Sequence, residues 1–595
     1  MISKAAMLLR DSWAGKVGRL GFSGGIPLAL ALAFILLLSY RVWQPLTSGG
    51  YFQMHDDAPA AFIYEMDRCF QDGQIPCRWA QDLAAGSGAP LFNLQAPLAY
   101  YAGELIHVAG FSMLASVKIT FVLGFLIAGS LMFLLAREFW GNIGGVVSAA
   151  FFLYAPYQAL DVYVGGKLAE QWAIAFVPGV LWGIYKVVRE GKSHHVLLLS
   201  LFVSLLLLSH NLIVLIFVPV GLIWAATLLS QGRARQGVPL LLLSGLWGLG
   251  LAAFFILPVI FEMGLTKAEA QTAGYFDYHR HFVDFNQLFI SRFWGFGLSE
   301  PGPNDGLSFQ IGWLHWGMAG IAVLVAPLLW RKSRVAFWAT LAILALFWLS
   351  VFMMTGSSVF IWEAVPQLKW LQFPWRLLAL AIFACSFLAG SLFALLRDRG
   401  VLPLALSLAL IAGVVLLNQQ FFKALTYDTT DEEKFTAANF PHLFDRYHAY
   451  VPTASQVYPV AAPAKVQVLK GTAEVSGISQ GSDSLAFSMT SQGEATIRAA
   501  VIDYPNWRVR VDGKTVSHDH ANAQGLITFD VPPGSHEVSL QLENSTIRTV
   551  ADYLSIAAWA AFVLTWLLWI TAGRWRRLLP GPGRRLLGRL PVKRQ

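Results

Sequence analysis

The stretch His55-Asp56-Asp57-Ala-Pro sets two adjacent carboxylates about a dozen residues beyond the end of a long apolar run. Acids beside a bilayer are costly to desolvate and persist mainly where they coordinate, pair or catalyse. A carboxylate within hydrogen-bond reach of a hydroxyl can take its proton as that oxygen attacks, which is general-base chemistry. Asp57 also has a local role open to it: with Ala58-Pro59 behind it, it makes a good N-cap for a helix carrying proline in its first turn. That role does not account for Asp56. Both are candidate catalytic acids, Asp56 the stronger. His107, His210 and His315 stand alone in apolar stretches and read as packed or hydrogen-bonded histidines. The chain has no Cys-x-x-Cys, no His-Glu-x-x-His and no phosphate-binding Gly-x-x-x-x-Gly-Lys-Ser/Thr loop, so nucleotide-driven chemistry is disfavoured.

The elements that must position these acids are membrane helices. Of 595 residues, 56% are hydrophobic and 13% charged, and mean hydropathy is +0.54, a balance that makes the bilayer the solvent for most of the chain. The 22 Trp, 42 Phe and 17 Tyr can supply interfacial belts. Apolar runs near the ~20 residues that a bilayer core demands predict twelve helices, near 26–44, 116–136, 142–158, 170–188, 195–210, 211–229, 238–262, 311–330, 335–354, 376–396, 401–419 and 551–572. At Ser209-His210-Asn211 the pattern fits either a hairpin or one kinked helix. Lys4, Arg10, Lys16 and Arg19 precede the first run, no small-residue cleavage site follows it, and it reads as a retained helix.

Charge orients the helices. From a cytoplasmic N-terminus, every second loop is basic: Arg137; Arg189 and Lys192; Arg233 and Arg235; Arg331, Lys332 and Arg334; Arg397 and Arg399; then the tail from Arg574. The net charge of +8 rests largely on that acid-free tail, which reads as an anchor to anionic membrane lipid rather than a nucleic-acid contact. The long loops, near 45–116, 264–310, 355–375 and 420–550, then lie outside, and function belongs there. In the first of them, runs 60–70 and 97–110 suit helices lying in the interface.

From about Tyr427 to Ser545 the pattern changes to period-two alternation, as in Trp507-Arg-Val-Arg-Val, with turns at Asp512-Gly513 and Pro532-Pro533-Gly534. The expected fold is thus a polytopic α-helical membrane protein with an extracytoplasmic β-sandwich near the C-terminus. Its divisions are 1–425 transmembrane, with the first outer loop at 45–115; 426–548 β-rich; 549–573 the last helix; and 574–595 a basic cytoplasmic tail. Tyr504 and Trp507 suit the sandwich core. Cys69 and Cys77 lie close enough in one outer loop for a disulfide, and Cys385 reads as a packed thiol.

An acidic pair beyond the first helix, followed by interfacial helices and many spans, resembles the GT-C glycosyltransferases. The order of Gly165-Gly-Lys-Leu-Ala-Glu170, Ser209-His-Asn, Gly274-Tyr-Phe-Asp-Tyr, Leu371-Gln-Phe-Pro-Trp-Arg376, Tyr504-Pro-Asn-Trp-Arg-Val-Arg-Val-Asp-Gly-Lys514 and Val531-Pro-Pro-Gly-Ser-His536 resembles their YfhO-type branch. The resemblance implies transfer of a sugar from a polyprenyl-phosphate donor to a glycan, lipid or protein acceptor on the outer face of the cytoplasmic membrane. It makes the first acid of the loop, Asp56, the base, with single displacement and inversion as the default. The departing phosphate then needs fixed cations. Lys167, His279, Arg280, His281 and Arg376 are the candidates, foremost Arg280 in its dense cluster and Arg376 at a helix mouth. Glu170 suits a helix N-terminus, or a second acid that joins Asp56 on sugar hydroxyls or on a divalent cation. The metal is unassigned, and beyond that divalent cation no cofactor is implied.

A transporter or flippase of lipid-linked sugars is the rival class, and a catalytically silent partner in glycan assembly is another. Transporters place ionisable groups at the midplane and carry internal repeats. Here the centres of the expected helices are nearly free of charge, which favours a surface reaction.

Overall fold

A computed structural model describes residues 27–578 except 233, 303, 398, 429–435, 440 and 445–447, with side chains as far as 571. The basic residues expected before the first helix, Arg233, and the side chains of the tail from Arg574 lie outside the described residues. Among those described, nine helices are long and apolar enough to cross a membrane, or ten if the bent pair Ala234–Leu251 and Ala253–Leu265 forms one span angled by 78°.

The long helix Met113–Leu153 is a hairpin. At Gly141 (φ 76°, ψ 175°) the chain reverses, a conformation that favours a residue without Cβ. A Cβ at Gly145 would lie 3.0 Å from the Phe133 ring and one at Gly129 2.9 Å from Leu153, so the two halves pack face to face. The expected segments 116–136 and 142–158 are therefore antiparallel neighbours. With this hairpin divided and the 15-residue helix Ser193–Leu207 added, each of the twelve expected segments is helical, although 142–153 and Ser193–Leu207 fall short of the ~20 residues of a full span. His210 has extended backbone (φ −164°, ψ 121°), and its Nδ1 accepts from Ile213 N at 3.3 Å. Ser209-His210-Asn211 is thus a break between two helices.

Basic loops and long loops gather at opposite ends of the bundle. At one end Lys332 Nζ donates to Leu395 O (3.2 Å), Arg397 Nη2 to Phe139 O (3.3 Å), and the His194 ring lies 5.0 Å from Trp569 near the end of the last helix. At the other, Val283 N donates to Met354 O (3.0 Å), Lys267 N to Val451 O (3.0 Å), and His55 Nε2 pairs with Phe296 O (2.9 Å).

Strands 466–542 form two antiparallel sheets, one of five strands and one of three, with a shared apolar core. Val509 and Val511 of one sheet and Ile497, Phe529 and Val531 of the other point into it, as period-two alternation requires. Asp512 and Gly513, both at positive φ, make the tight turn between Trp507–Val511 and Lys514–Val516. Tyr504 and Trp507 are core residues. Trp79, from the first long loop, enters the same core with its ring 5.5 Å from Trp507 and 5.9 Å from Tyr504, so the sandwich is completed by a residue far outside it in sequence.

The amphipathic runs 60–70 and 97–110 of the first long loop form the helices Ala58–Gln71 and Leu98–Val108. The first is largely buried, because both its sides are covered: a Cβ at Gly103 would come within 2.3 Å of Ile63, and the Phe62 ring packs on Tyr450.

A candidate active site at the Asp56 loop

The chain around Gly165-Gly166 forms a platform. The π-helical turn Leu160–Val164 ends in Val164 and Gly165, whose carbonyls accept from His55 N (2.8 Å) and Asp56 N (2.9 Å). Gly166 adopts φ +68°, and a Cβ there would lie 2.4 Å from Asp56 O and 2.3 Å from Met54 Sδ. Only glycine permits this approach. The acidic loop is thereby fixed to the mouth of helix Leu168–Glu190 while the Asp56 side chain remains exposed.

The division of labour within the acidic pair differs from expectation. Asp57 occupies the N-cap position of Ala58–Gln71, but with ψ 5° it lacks the extended geometry that capping uses and makes no side-chain cap bond. Asp56 Oδ1 instead accepts from Ala58 N at 3.3 Å. Around it stand phenols: Tyr450 donates to Gln95 Oε1 (2.6 Å), and Gln95 Nε2 donates to Tyr100 Oη (3.2 Å). Burial first, then the Asp56 charge, hold the Tyr100 phenol well above its usual range, and both also raise Tyr450. These hydroxyls stay protonated and able to donate.

Behind the platform lies a buried charge cluster. Glu170, 1% exposed, accepts from Tyr157 Oη at Oε1 (2.7 Å) and from Arg376 Nε at Oε2 (3.1 Å). Arg376 Nη1 also donates to Leu371 O (2.6 Å) and Gln372 Oε1 (3.2 Å). Lys167 is placed differently: 21% exposed, its Nζ lies 3.9 Å from Glu170, 4.0 Å from Asp161 and 4.5 Å over the Trp375 ring, all long contacts. Asp161 is fully buried, and among the described residues neither its oxygens nor the amide of neighbouring Gln158 find a hydrogen-bond partner. Burial, then the Glu170 charge, push the Asp161 carboxyl well up, opposed by Lys167 and Arg376. Burial lowers His210 to about 4 despite the Glu170 charge.

The sequence candidates thus fall into two groups. Lys167, Glu170 and Arg376 converge behind Asp56. His281 is tied to them through Ser299, whose Oγ lies 2.9 Å from His281 Nδ1 and 3.2 Å from Trp375 Nε1, and it is buried with its Nε2 2.5 Å from Tyr275 O. His279 and Arg280 are exposed, and His279 pairs with Asp277 at 2.7 Å. Glu170 serves as the counter-ion of Arg376, with both carboxylate oxygens engaged. Sequence reading missed Asp161 and Tyr157. An acid in the apolar run Leu160-Asp-Val-Tyr-Val, just before Gly165-Gly166, was the available signal. Cys69 and Cys77 are disulfide-bonded, and Cys385 is a buried thiol. Among the described residues no group of three or more His, Cys, Asp or Glu side chains is arranged to hold a metal ion.

A family model described as 6-pyruvoyl-tetrahydropterin synthase related domain, a membrane protein, matches residues 92–422. The stretch ends before the β-sandwich and begins after Asp56, and its description does not name the YfhO-type branch. No curated protein matches the chain. Among solved structures, the Archaeoglobus fulgidus oligosaccharyltransferase in its apo form is similar over 73% of this chain and 61% of its own (TM-score 0.42, 14% identity). The arabinofuranosyltransferase AftD from Mycobacteria is similar over 71% of this chain and 28% of its own (TM-score 0.40, 13% identity). ArnT from Cupriavidus metallidurans, bound to undecaprenyl phosphate, is similar over 66% and 64% (TM-score 0.36, 15% identity). The chain therefore spans about three fifths of the archaeal enzyme's length. Likeness at these scores assigns no reaction.

Proposed function

The chain belongs to the membrane-protein family described as 6-pyruvoyl-tetrahydropterin synthase related, and from its site we propose that it is a glycosyltransferase of GT-C type. In this reading it moves a sugar from a polyprenyl-phosphate donor to an acceptor at the outer face of the cytoplasmic membrane. The observation that carries it is an exposed carboxylate, Asp56, fixed by its backbone to the Gly165-Gly166 turn that also leads into Lys167, an ammonium with long ionic contacts among the described residues. A base and a cation on one platform are what a displacement with a phosphate leaving group requires. The resemblance of the loop and of the ordered motifs, including those of the YfhO-type branch, supports the same reaction.

The roles divide as follows. Asp56 takes the proton of the acceptor hydroxyl as the new glycosidic bond forms, and the bond from the sugar's anomeric carbon to the lipid phosphate breaks with its electron pair on phosphate oxygen. One displacement inverts the anomeric centre. Lys167 meets the charge that develops on the phosphate, and exposed Arg280 is a second cation for it. Arg376 cannot turn to a ligand without abandoning three hydrogen bonds, so it serves by keeping Glu170 in place beside Lys167. The neutral Tyr100 hydroxyl, which accepts from Gln95, keeps its proton to donate near Asp56, and Tyr450 holds that Gln95 in place. The end holding the long loops is the outer one, opposite the basic loops.

The test is incubation of purified protein with synthetic polyprenyl-phosphate sugars, following release of lipid phosphate. Asp56→Asn should slow release by roughly a hundred- to ten-thousand-fold. Equal turnover would remove Asp56 from the mechanism, and retention of the donor's anomeric configuration in the product would remove single displacement.

A further inference from the structure

Residues of 286–302 and 304–309 line an open concavity of about 460 Å³ at the same end of the bundle as Asp56. Its polar wall is made by Asn286, Gln287, Asn304, Asp305 and Ser308, and its apolar wall by the rings of Phe293 and Phe309 with Leu307. The wall is built rather than incidental. Asp305, 8% exposed, accepts from Gln287 Nε2 (2.6 Å) and Glu300 N (2.7 Å). Gln287 is fixed in turn, since its Oε1 accepts from Asp284 N and its own N–H donates to Asp284 Oδ1, both at 2.8 Å. Exposed Asn286 and Asn304 present planar amides that both donate and accept.

The chemistry of this lining selects its occupant. It has no Lys or Arg, and its one carboxylate repels anions, so a phosphate does not belong here. That carboxylate already holds two donors, which weakens it as a cation site. What remains is a neutral ligand rich in hydroxyls, with an apolar face for an aromatic ring. The volume lies in the range of small-molecule pockets that combine apolar walls with a few placed polar groups. The wall also continues into the Asp56 site: Phe309 packs 5.3 Å from Trp375, and Trp375 carries Lys167 on its face at 4.5 Å.

We propose that this cavity binds a neutral saccharide unit, the acceptor of the transfer. Its role as acceptor rests on the glycosyltransferase reading; the binding itself does not. Two sources share this chemistry, a free glycan and the headgroup of a glycolipid, and both present the same ring to the same wall.

The experiment uses the full chain in nanodiscs and reads saturation-transfer NMR in two arms, a panel of neutral hexose disaccharides in solution and glycolipids with the same headgroups in the disc. Phe293→Ala with Asn304→Ala removes one ring and one amide from exposed positions, so the fold is retained, as circular dichroism will verify. The expected result is saccharide binding by the wild type and by Asp56→Asn, weakened about tenfold or more in the double variant. Signal in the soluble arm identifies a free glycan and signal in the glycolipid arm alone identifies a lipid-borne one; either supports the cavity. Equal binding by wild type and double variant, or no signal in either arm, overturns it. Lipid phosphate release that depends on Asp56 but is unchanged in the double variant removes the acceptor role of the cavity and keeps the transferase. Saccharide binding without any release keeps the cavity and removes the transferase.

Discussion

The Glu170–Arg376 pair offers a sharp test because both side chains are nearly dry, at 1% and 6% exposure. At 3.1 Å and an effective dielectric constant of about 20, their attraction is on the order of 5 kcal/mol. Desolvation costs several kcal/mol per ion, so the pair as a whole contributes little net stability. Removing one member is different, because it strands a buried charge at a cost of about 3–5 kcal/mol. Glu170→Leu should therefore destabilise strongly, leaving Arg376 with only neutral acceptors. Arg376→Met should fall at the lower end of that range, since Lys167 Nζ already lies 3.9 Å from the same carboxylate and can close on it. The double variant should be less destabilised than the sum of the two by more than about 1 kcal/mol. Detergent-induced unfolding followed by tryptophan fluorescence measures all three. Additivity within about 0.5 kcal/mol would refute the pairing, and a neutral Glu170→Leu would refute the buried charge. In the transfer assay Arg376→Met should also lower turnover, as Lys167 is drawn away from the phosphate.

Lys167→Met should depress lipid phosphate release more than Arg280→Met, since Lys167 stands on the Asp56 platform; the reverse order would move the phosphate to the exposed loop. Trp79→Ala should cost about 3–5 kcal/mol and loosen the β-sandwich from the first long loop, read as faster proteolysis between Tyr458 and Leu542. Glu104 is fully buried, and neither of its oxygens has a hydrogen-bond partner among the described residues; burial, aided by the Asp67 charge, pushes its carboxyl up to about 8. A carboxyl raised by folding binds its proton better in the folded state, so stability is lost as pH climbs from the ordinary 4.5 toward about 8. Glu104→Gln should accordingly raise the melting temperature at pH 8 and leave it unchanged at pH 4; an equal shift at both would assign the effect to packing.

What could be read beforehand follows from which signals are local. The membrane segments were legible because hydrocarbon demands unbroken apolar length, and the run either side of Gly141 was separable because Arg137 and Gly141-Asn142 interrupt it. The strands were legible because alternation survives wherever one face is buried, as at Trp507-Arg-Val-Arg-Val. Pairing across the chain was not legible. Nothing in the neighbourhood of Trp79 announces that it belongs to a core built more than 380 residues later, and the interfacial pattern of Ala58–Gln71 could not reveal that its second face is covered.

The site shows the same limit in a way that alters its chemistry. Read along the chain, Arg376 beside Pro374-Trp375 is the more persuasive phosphate ligand, because a guanidinium can bind two oxygens at once. In three dimensions its Nε and Nη1 are engaged by Glu170, Leu371 and Gln372, which fixes the guanidinium, and the flexible ammonium of Lys167 is left within reach of solvent. A cation 3.9 and 4.0 Å from the oxygens of two buried acids and over the Trp375 ring is attracted but not locked. It can move toward an incoming phosphate without breaking a short hydrogen bond. Asp161 then acquires a purpose that its burial alone would not suggest: with Glu170 it offers oxygens that keep the Lys167 side chain near the platform until the donor arrives. Asp161→Asn should thus lower affinity for a polyprenyl phosphate while leaving Asp56 in place. If donor binding by Asp161→Asn, measured by displacement of a fluorescent polyprenyl phosphate, equals that of the wild type, Lys167 does not depend on the buried acids and the cation for the phosphate must be sought at Arg280.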